Sequence, residues 1–333
     1  LFRNAEAIEL FREVDTLVMD KTGTLTEGRP ALREIITADN FAENKVLAIA
    51  AGLERGSEHP LAAAVSAAAA DRGVEVEDVA EFEATPGKGL TGVLGEHRIV
   101  LGNDLFMQMH GIAIREDLQD ASRRHQTEGK TVVGVAMDGI LAGLLVIEDP
   151  VRSSAVNAVR YLRSEGLRLV MLTGDNERTA TAVARRLGIE DVMADVLPED
   201  KLTAVRRLQQ SGAKVAMAGD GINDAPALAQ ADVGIAMGSG TDVALESADV
   251  TLVRGDLSVL AQARALSDAT VRNIRQNLFF AFVYNGVGVP VAAGALFPFL
   301  GVTLSPMIAA AAMSASSVSV ITNALRLRKS SLD

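Results

Sequence analysis

The sequence contains no cysteine, so neither a disulfide nor a thiolate metal site can form within it, and the redox compartment cannot be read from it. Concentrated basic patches are missing too. The balance of 32 Lys and Arg against 43 Asp and Glu gives a net charge of -11 and a pI near 5.0. That balance argues against nucleic acid as a main partner, because phosphate backbones are held by clustered cations; the acidity reads as an ordinary solvated surface. No signal peptide, internal repeat or low-complexity tract stands out, and the chain opens Leu1-Phe2-Arg3-Asn4 without Met, so an upstream part is expected. Apolar residues, by contrast, are plentiful. They make up 48% of the 333 residues and the mean hydropathy is +0.21, high for a purely soluble protein, so part of the chain is expected to enter a membrane.

The apolar run Thr16-Leu17-Val18-Met19 stops at Asp20 and is followed by Gly and Thr, the pattern of a buried strand feeding a polar loop. From about Pro30 to Val146 an Ala-rich helix (60–70), short Gly-containing strands (87–102) and a second helix (116–128) predict an inserted α+β domain. After Asp149-Pro150 the chain alternates regularly: helix 153–165, strand 167–172, helix 178–187, helix 200–210, strand 215–218, then strands at 233–237 and 250–253. Such alternation predicts a parallel sheet covered on both faces.

Three apolar runs end in polar clusters: Asp20-Lys21-Thr22-Gly23, Thr173-Gly174-Asp175 and Gly219-Asp220-Gly221-Ile222-Asn223-Asp224. One Asp after a strand is usually a cap or turn residue, but in an open parallel sheet ligands bind beyond the carboxyl ends of the strands, where three such loops converge. Phosphoryl transfer needs an in-line nucleophile, a divalent cation and donors for the equatorial oxygens. Asp20 can supply the carboxylate nucleophile and form an aspartyl phosphate. Asp220 suits Mg²⁺, Thr173 and the amides around Gly174 suit phosphate oxygens, Lys201 offers a positive charge to the same group, and Asn223 and Asp224 complete the polar shell.

Taken together, Asp-Lys-Thr-Gly-Thr, Thr-Gly-Asp and Gly-Asp-Gly-Ile-Asn-Asp-Ala-Pro resemble the motifs of the P-type ATPases, in the same order. The resemblance implies an α/β fold: a haloacid-dehalogenase-like, parallel-sheet phosphorylation domain with an inserted α+β nucleotide-binding domain, plus a two-helix transmembrane hairpin. It also implies that Lys21 and Asp175 belong to the catalytic set and that Asp20 and Thr22 join Asp220 around Mg²⁺. In related soluble phosphatases a second Asp stands two residues after the nucleophile as general acid and base; here Thr22 stands there, so a slowly hydrolysed phosphoenzyme is expected. Ser57-Glu58-His59-Pro60 resembles the His-Pro motif of the heavy-metal (type IB) subgroup, whose His contacts adenine. By that resemblance Glu54, Glu58, His59, Gly87, Gly89, Gly102 and Asn103 form the ATP pocket. Read alone, a His-Pro pair is more often a helix start, since Pro suits the first turn.

Segments 278–300 and 302–325 each hold more than 20 residues without charge, enough to cross a hydrocarbon core of about 30 Å. Arg272 and Arg275 precede the first and Arg326, Arg328 and Lys329 follow the second, which puts both outer ends in the cytoplasm. Tyr284-Asn285 in the first, with Met313, Ser316 and Ser317 in the second, resemble the signature of copper(I)-transporting members, and a thioether suits Cu(I) or Ag(I). Ser314 brings the run near the pattern of a Cu(II) sister group; Ser317 in place of Thr favours Cu(I).

The expected organisation is therefore 1–12 as the cytoplasmic end of a preceding membrane helix, 13–30 and 147–266 as phosphorylation domain, and 31–146 as nucleotide-binding domain. A linker helix (267–277), two membrane helices (278–300, 302–325) and a cytoplasmic tail (326–333) follow. Expected partners are membrane lipid, the upstream half of a pump with its Cys-Pro-Cys helix and actuator domain, and a copper chaperone, in a bacterial inner membrane with the catalytic domains cytoplasmic. The competing classes are a haloacid-dehalogenase-like phosphatase and a non-catalytic membrane scaffold.

Overall fold

The structure, a computed structural model, describes residues 1–333 except 39, 58, 239, 254–255, 294–305 and 328–333, and describes no side chain at 222, 292, 306–313 or 327. The strands run in chain order as β1 (Thr16–Asp20), then β2 (Ala31–Thr37), β3 (Ala80–Thr85), β4 (Gly89–Leu94), β5 (His97–Gly102), β6 (Thr131–Met137) and β7 (Ile140–Glu148). They continue with β8 (Arg168–Leu172), β9 (Asp191–Met193), β10 (Val215–Gly219), β11 (Val233–Met237) and β12 (Val250–Leu252).

One sheet has the order β12-β11-β10-β1-β8-β9 and every pair in it is parallel. Its central strands β1, β10 and β11 are buried along their whole length, which is why their sequences are unbroken apolar runs and not alternations. Helices Ala155–Ser164, Glu177–Leu187 and Pro198–Gln210 supply the crossovers. Their ends follow local chemistry: Asn176 Oδ1 accepts from the Thr179 N–H at 3.0 Å, and Pro198 opens the third helix at a position where its missing N–H costs nothing.

The second sheet, β2-β7-β6-β5-β4-β3, is antiparallel throughout. The chain leaves the first sheet after β1 and comes back through β7, whose Glu148 pairs with Ala31 of β2, so everything between is an insertion. Helices Glu43–Glu54 and Pro60–Asp71 pack on it around Leu47, Ile49, Leu53, Val65 and Leu145. Both sheets fall within one compact unit, residues 1–3 and 14–258; residues 4–13 and 259–333 form another.

In that second unit, helices Ser258–Ala292 and Pro306–Leu327 are tied by an amide ladder: Asn273 Nδ2 donates to the Asn323 carbonyl at 2.7 Å and Asn323 Nδ2 to Asn277 Oδ1 at 2.9 Å. Residues 267–277, expected as a linker helix, are helical and lie within one continuous helix, Ser258–Ala292, since no Gly or Pro interrupts residues 258–285. No described helix is long and apolar enough to cross a membrane. The link expected at Gly301, both inner ends of the expected spans, and Arg328 and Lys329 lie outside the described residues.

Candidate active site

Asp20 is the last residue of β1, Thr173 follows β8 and Asp220 follows β10, so the three loops issue side by side from the central strands, where the chain switches from one side of β1 to the other. Lys201, on the first turn of helix Pro198–Gln210, reaches in from below: its Nζ donates to Asp20 Oδ1 at 2.8 Å and to Asp224 Oδ1 at 2.7 Å. Asp224 is 1% exposed, and its Oδ2 accepts from the backbone N–H groups of Asp220 and Gly221 at 3.1 and 3.0 Å. Its lone pairs are thus committed inside the protein, while the carboxylates of Asp20 and Asp220 remain to face a ligand.

Oxygens of Asp20, Asp220 and Asp224 lie within 4.8 Å of one another. Burial, then the Asp224 charge, push the Asp20 carboxyl up to about 7 against the pull of Lys201. Burial and Asp224 likewise raise Asp220 to about 6, opposed by Lys201 and Arg152. Burial acts to lower the Lys201 pKa, but Asp20 and Asp224 outweigh it and raise it. A group of hard oxygen donors that repel one another is the donor set Mg²⁺ takes, so the residues present fit that ion.

The turn after β1 depends on Gly23, which has φ +72°, and a Cβ there would lie 1.6 Å from Asp220 Oδ2. Only glycine lets the two loops come this close. Lys21 turns away from Asp20 and pairs with Asp175 at 2.5 Å. Burial alone would raise Asp175, but Lys21 and hydrogen bonds from Lys21, Thr131 and Thr173 hold it below the ordinary carboxylate range. Thr173 is 3% exposed and its Oγ1 accepts from the Asp175 N–H at 3.1 Å, so it also shapes its own loop; Gly174 sits 3.5 Å, measured from where a Cβ would stand, from the Val196 carbonyl. Thr22 is half-buried in the turn and Asn223 is exposed.

In the inserted sheet, Glu54 ends helix Glu43–Glu54 at 5% exposure with its Oε2 unbonded. Burial raises its pKa, partly countered by Ser57. His59 caps the next helix, with Nδ1 accepting from the Leu61 N–H at 3.2 Å. Its ring reaches solvent, yet the surrounding protein lowers its pKa, and the ring lies in the fields of Asp175 and Lys21. The expected nucleotide pocket therefore borders the Asp20 cluster. Gly87, at φ +69°, is met by Leu197, from the loop that leads to Lys201; a Cβ there would come within 2.4 Å of it. Gly89 and Gly102 pair across β4 and β5, and the space a side chain would need is filled by the Phe106 ring and backbone carbonyls, so their smallness is explained by packing within the domain. Asn103 caps the helix Asp104–Met109 through the Phe106 N–H at 2.9 Å and donates to the Gly87 carbonyl at 3.1 Å. Glu58 lies outside the described residues.

Residues 14–232 match the haloacid dehalogenase-like hydrolase family. The chain is 56% identical over 328 residues to the silver exporting P-type ATPase of Salmonella typhimurium, a match covering 98% of this chain and 40% of that protein. It is 54% identical over 332 residues to the copper-exporting P-type ATPase of Legionella pneumophila subsp. pneumophila, covering 100% of this chain and 45% of that one. Among solved structures it superposes on the catalytic domain of the CPx-ATPase CopB-B with a TM-score of 0.63 and 31% identity, over 78% of this chain and 92% of that domain. The chain belongs to the P-type ATPases, within the haloacid dehalogenase-like hydrolases. It spans less than half the length of these two curated relatives.

Several residues of this P-type ATPase chain that shape the site are not picked out by the motifs. Thr26 Oγ1 accepts from the Gly23 N–H at 3.1 Å and lies 2.5 Å from Asp149 Oδ2, fastening the segment that leaves the parallel sheet to the one that returns. Arg152 Nη2 donates to the Gly23 carbonyl at 2.7 Å, and its charge acts on Asp220. Thr131, at the start of β6, donates to Asp175 Oδ1 at 2.9 Å from the other sheet. Among the described residues, the buried side-chain atoms without a hydrogen bond are Thr24 Oγ1, Arg152 Nε and Glu54 Oε2, which fall in the two regions where phosphate and adenine are expected. The sequence signals near these positions are the Asp-Lys-Thr-Gly-Thr motif, which ends two residues before Thr26, and the Asp-Pro at 149–150.

The residues expected to meet the transported ion lie in the second unit. Tyr284 and Asn285 are on helix Ser258–Ala292, where the Asn285 amide donates to the Ala281 carbonyl at 2.9 Å; Met313, Ser316 and Ser317 are on helix Pro306–Leu327. The Met313 side chain lies outside the described residues.

Proposed function

We infer that this chain is the motor, and part of the ion path, of a pump that exports copper(I), and silver, across a membrane at the expense of ATP. The observation that carries this reading is the buried cluster at the end of β1, where Lys201 grips one oxygen of Asp20 while Asp220 and Asp224 crowd the other side. Among the described residues no hydrogen bond occupies Asp20 Oδ2, which leaves that oxygen to attack the γ-phosphorus of ATP. The attack forms an acyl phosphate and releases ADP; water later cleaves it to inorganic phosphate. Lys201 holds the carboxylate in place and offsets its charge. Asp20, Thr22 and Asp220 would hold Mg²⁺, which supplies charge neutralisation at the transferring phosphoryl group. Thr173, the Gly174 amide and the unbonded Thr24 hydroxyl are donors for phosphate oxygens. Thr22 offers no carboxylate to deprotonate the attacking water, which favours a phosphoenzyme that waits for a conformational change.

Glu54 and neutral His59 suit adenine: the unbonded carboxylate oxygen can accept from the exocyclic amine, and the uncharged ring can stack. Copper(I) is supported by the names of the relatives and by the Tyr284-Asn285, Met313 and Ser316-Ser317 set, with the Cys-Pro-Cys helix and actuator domain supplied by the upstream half. The protein then sits in a bacterial inner membrane as a lipid-solvated hairpin, with its catalytic unit cytoplasmic and a copper chaperone as donor. The test is hydroxylamine-labile labelling of the complete pump from γ-labelled ATP, with and without Cu(I). Copper-dependent label that disappears in Asp20→Ala is expected; label that persists there defeats the assignment. A phosphatase reading has the family's hydrolase description in its favour, and it requires turnover of phosphomonoesters that is lost in Asp20→Asn and is independent of ATP and of Cu(I).

A further inference from the structure

Beyond the catalytic unit, helices Ser258–Ala292 and Pro306–Leu327 line, with helix Ala5–Glu13, an open cavity of about 720 Å³ whose walls carry four arginines: Arg12, Arg272, Arg275 and Arg326. Arg12 is neutralised by Asp268 at 3.0 Å. The other three have no carboxylate partner among the described residues, a concentration of unmatched positive charge in a chain whose net charge is -11. Beside the polar Gln276, Ser319, Thr322 and Asn323, the cavity also carries apolar side chains: Phe279, Phe280 and Val318 are 62%, 37% and 61% exposed.

Cationic and apolar residues are separated along each helix. Arg275 precedes Phe279 by one turn, about 6 Å at the 1.5 Å rise of an α-helix, and Arg326 follows Val318 by about 12 Å. Residues 272, 275–276 and 279 share one helix face, as do 318, 322 and 326. The amide ladder of Asn273, Asn277 and Asn323 fixes these faces beside each other, so the cavity does not depend on mobile loops for its shape. A guanidinium binds phosphate with two parallel N–H donors and is weakly hydrated, whereas a soluble anion has no use for an exposed phenylalanine wall.

We propose that this cavity binds the headgroup of an anionic glycerophospholipid, its phosphate on Arg272, Arg275 and Arg326 and its acyl chains along Phe279, Phe280 and Val318. The inference rests on the membrane placement of these two helices in the proposed function. It adds a lipid site at the cytoplasmic boundary, where a basic pocket between helices meets the acidic leaflet.

The complete pump, purified in detergent and mixed with phosphatidylglycerol or phosphatidylcholine, is examined by native mass spectrometry for retained lipid. Phosphatidylglycerol is expected to be retained at least about tenfold over phosphatidylcholine. The triple variant Arg272→Gln, Arg275→Gln, Arg326→Gln should lose that preference, and the matching triple Lys variant should keep most of it. Label on Asp20 from ATP reports that each variant is folded; if the triple Gln variant is not labelled, the single Arg275→Gln variant decides, with an expected fall of about threefold in preference. Equal retention of the two lipids by the unaltered pump overturns the proposal, as does an unchanged preference in the labelled Gln variant. Inorganic phosphate displacing the lipid would reassign the site to a soluble anion and also overturn it. Lipid preference in a pump that takes no label at Asp20 would instead sink the pump reading and leave this site standing.

Discussion

Replacing Asp220 by Asn in the purified chain should stabilise it at neutral pH when divalent cations are absent. Burial and the neighbouring Asp224 lift the Asp220 carboxyl from its ordinary 3.8 to about 6. A carboxyl that holds its proton more tightly folded than unfolded makes stability fall as pH rises through that window, with the cost absent below about pH 4 and complete above about pH 6. At about 1.4 kcal/mol per tenfold change in proton affinity, the full cost is on the order of 3 kcal/mol. Asp220 is only partly buried and Asp20 relaxes with it, so roughly half of this should be recoverable. No hydrogen bond to the Asp220 side chain is recorded among the described residues, so Asn forfeits none. For a unit of this size roughly 1.5 kcal/mol corresponds to a rise in Tm of about 3–6 °C. Thermal unfolding followed by circular dichroism in EDTA at pH 8 measures it. At pH 4 the difference should shrink towards zero, and added Mg²⁺ should stabilise the parent chain but not the variant. A variant equal to or less stable than its parent at pH 8, or a gap that persists at pH 4, would falsify the claim that the carboxylate cluster is strained without a cation.

Further outcomes follow from the same geometry. Lys201→Met leaves Asp20 and Asp224 without their shared cation; a loss of phosphoenzyme of about a hundredfold or more and about 3 kcal/mol of stability are expected, read by labelling and by urea titration. Gly23→Ala places a methyl group where Asp220 Oδ2 stands at a positive φ, so a cost of about 1–3 kcal/mol and loss of Mg²⁺-induced stabilisation are expected in melting curves. Thr131→Val removes one hydrogen bond to Asp175, about 1 kcal/mol, and should slow phosphorylation several-fold with little change in nucleotide affinity. Glu54→Gln should weaken ATP binding by about tenfold in calorimetry while labelling at saturating ATP stays near the parent level, and parent-like affinity would remove Glu54 from the pocket.

Much of the catalytic sheet could be read directly, because strands buried on both faces appear as short apolar runs and their loops begin at the first polar residue. Asp20, Thr173 and Asp220 were legible for that reason, and Lys201 because phosphoryl transfer needs a cation nearby. Thr131 was not, because it lies 44 residues from Asp175 in a different sheet and meets it only through packing. Arg152 and Thr26 act through a backbone carbonyl and a neighbouring carboxylate, contacts that leave no spacing in the sequence. Gly89 and Gly102 carried a signal that the structure explains differently: both make room for Phe106, and no phosphate is needed to account for them. The division at 267–277 follows composition, and the backbone runs through it as one helix because no breaker marks the change from charged to apolar residues.

The pairing of Ala31 with Glu148 puts the two ends of the inserted sheet on adjacent strands, with Cα atoms about 5 Å apart. A segment whose ends meet so closely is a cassette: it can be cut out and the gap bridged by a very short peptide, or replaced by another domain whose termini are equally near. The Thr26 to Asp149 contact sits on the far side of that seam and would survive the exchange. The insertion is therefore exchangeable as a unit, provided that the foreign insert restores a hydroxyl at the place of Thr131, whose hydrogen bond to Asp175 crosses from the inserted sheet to the parallel one.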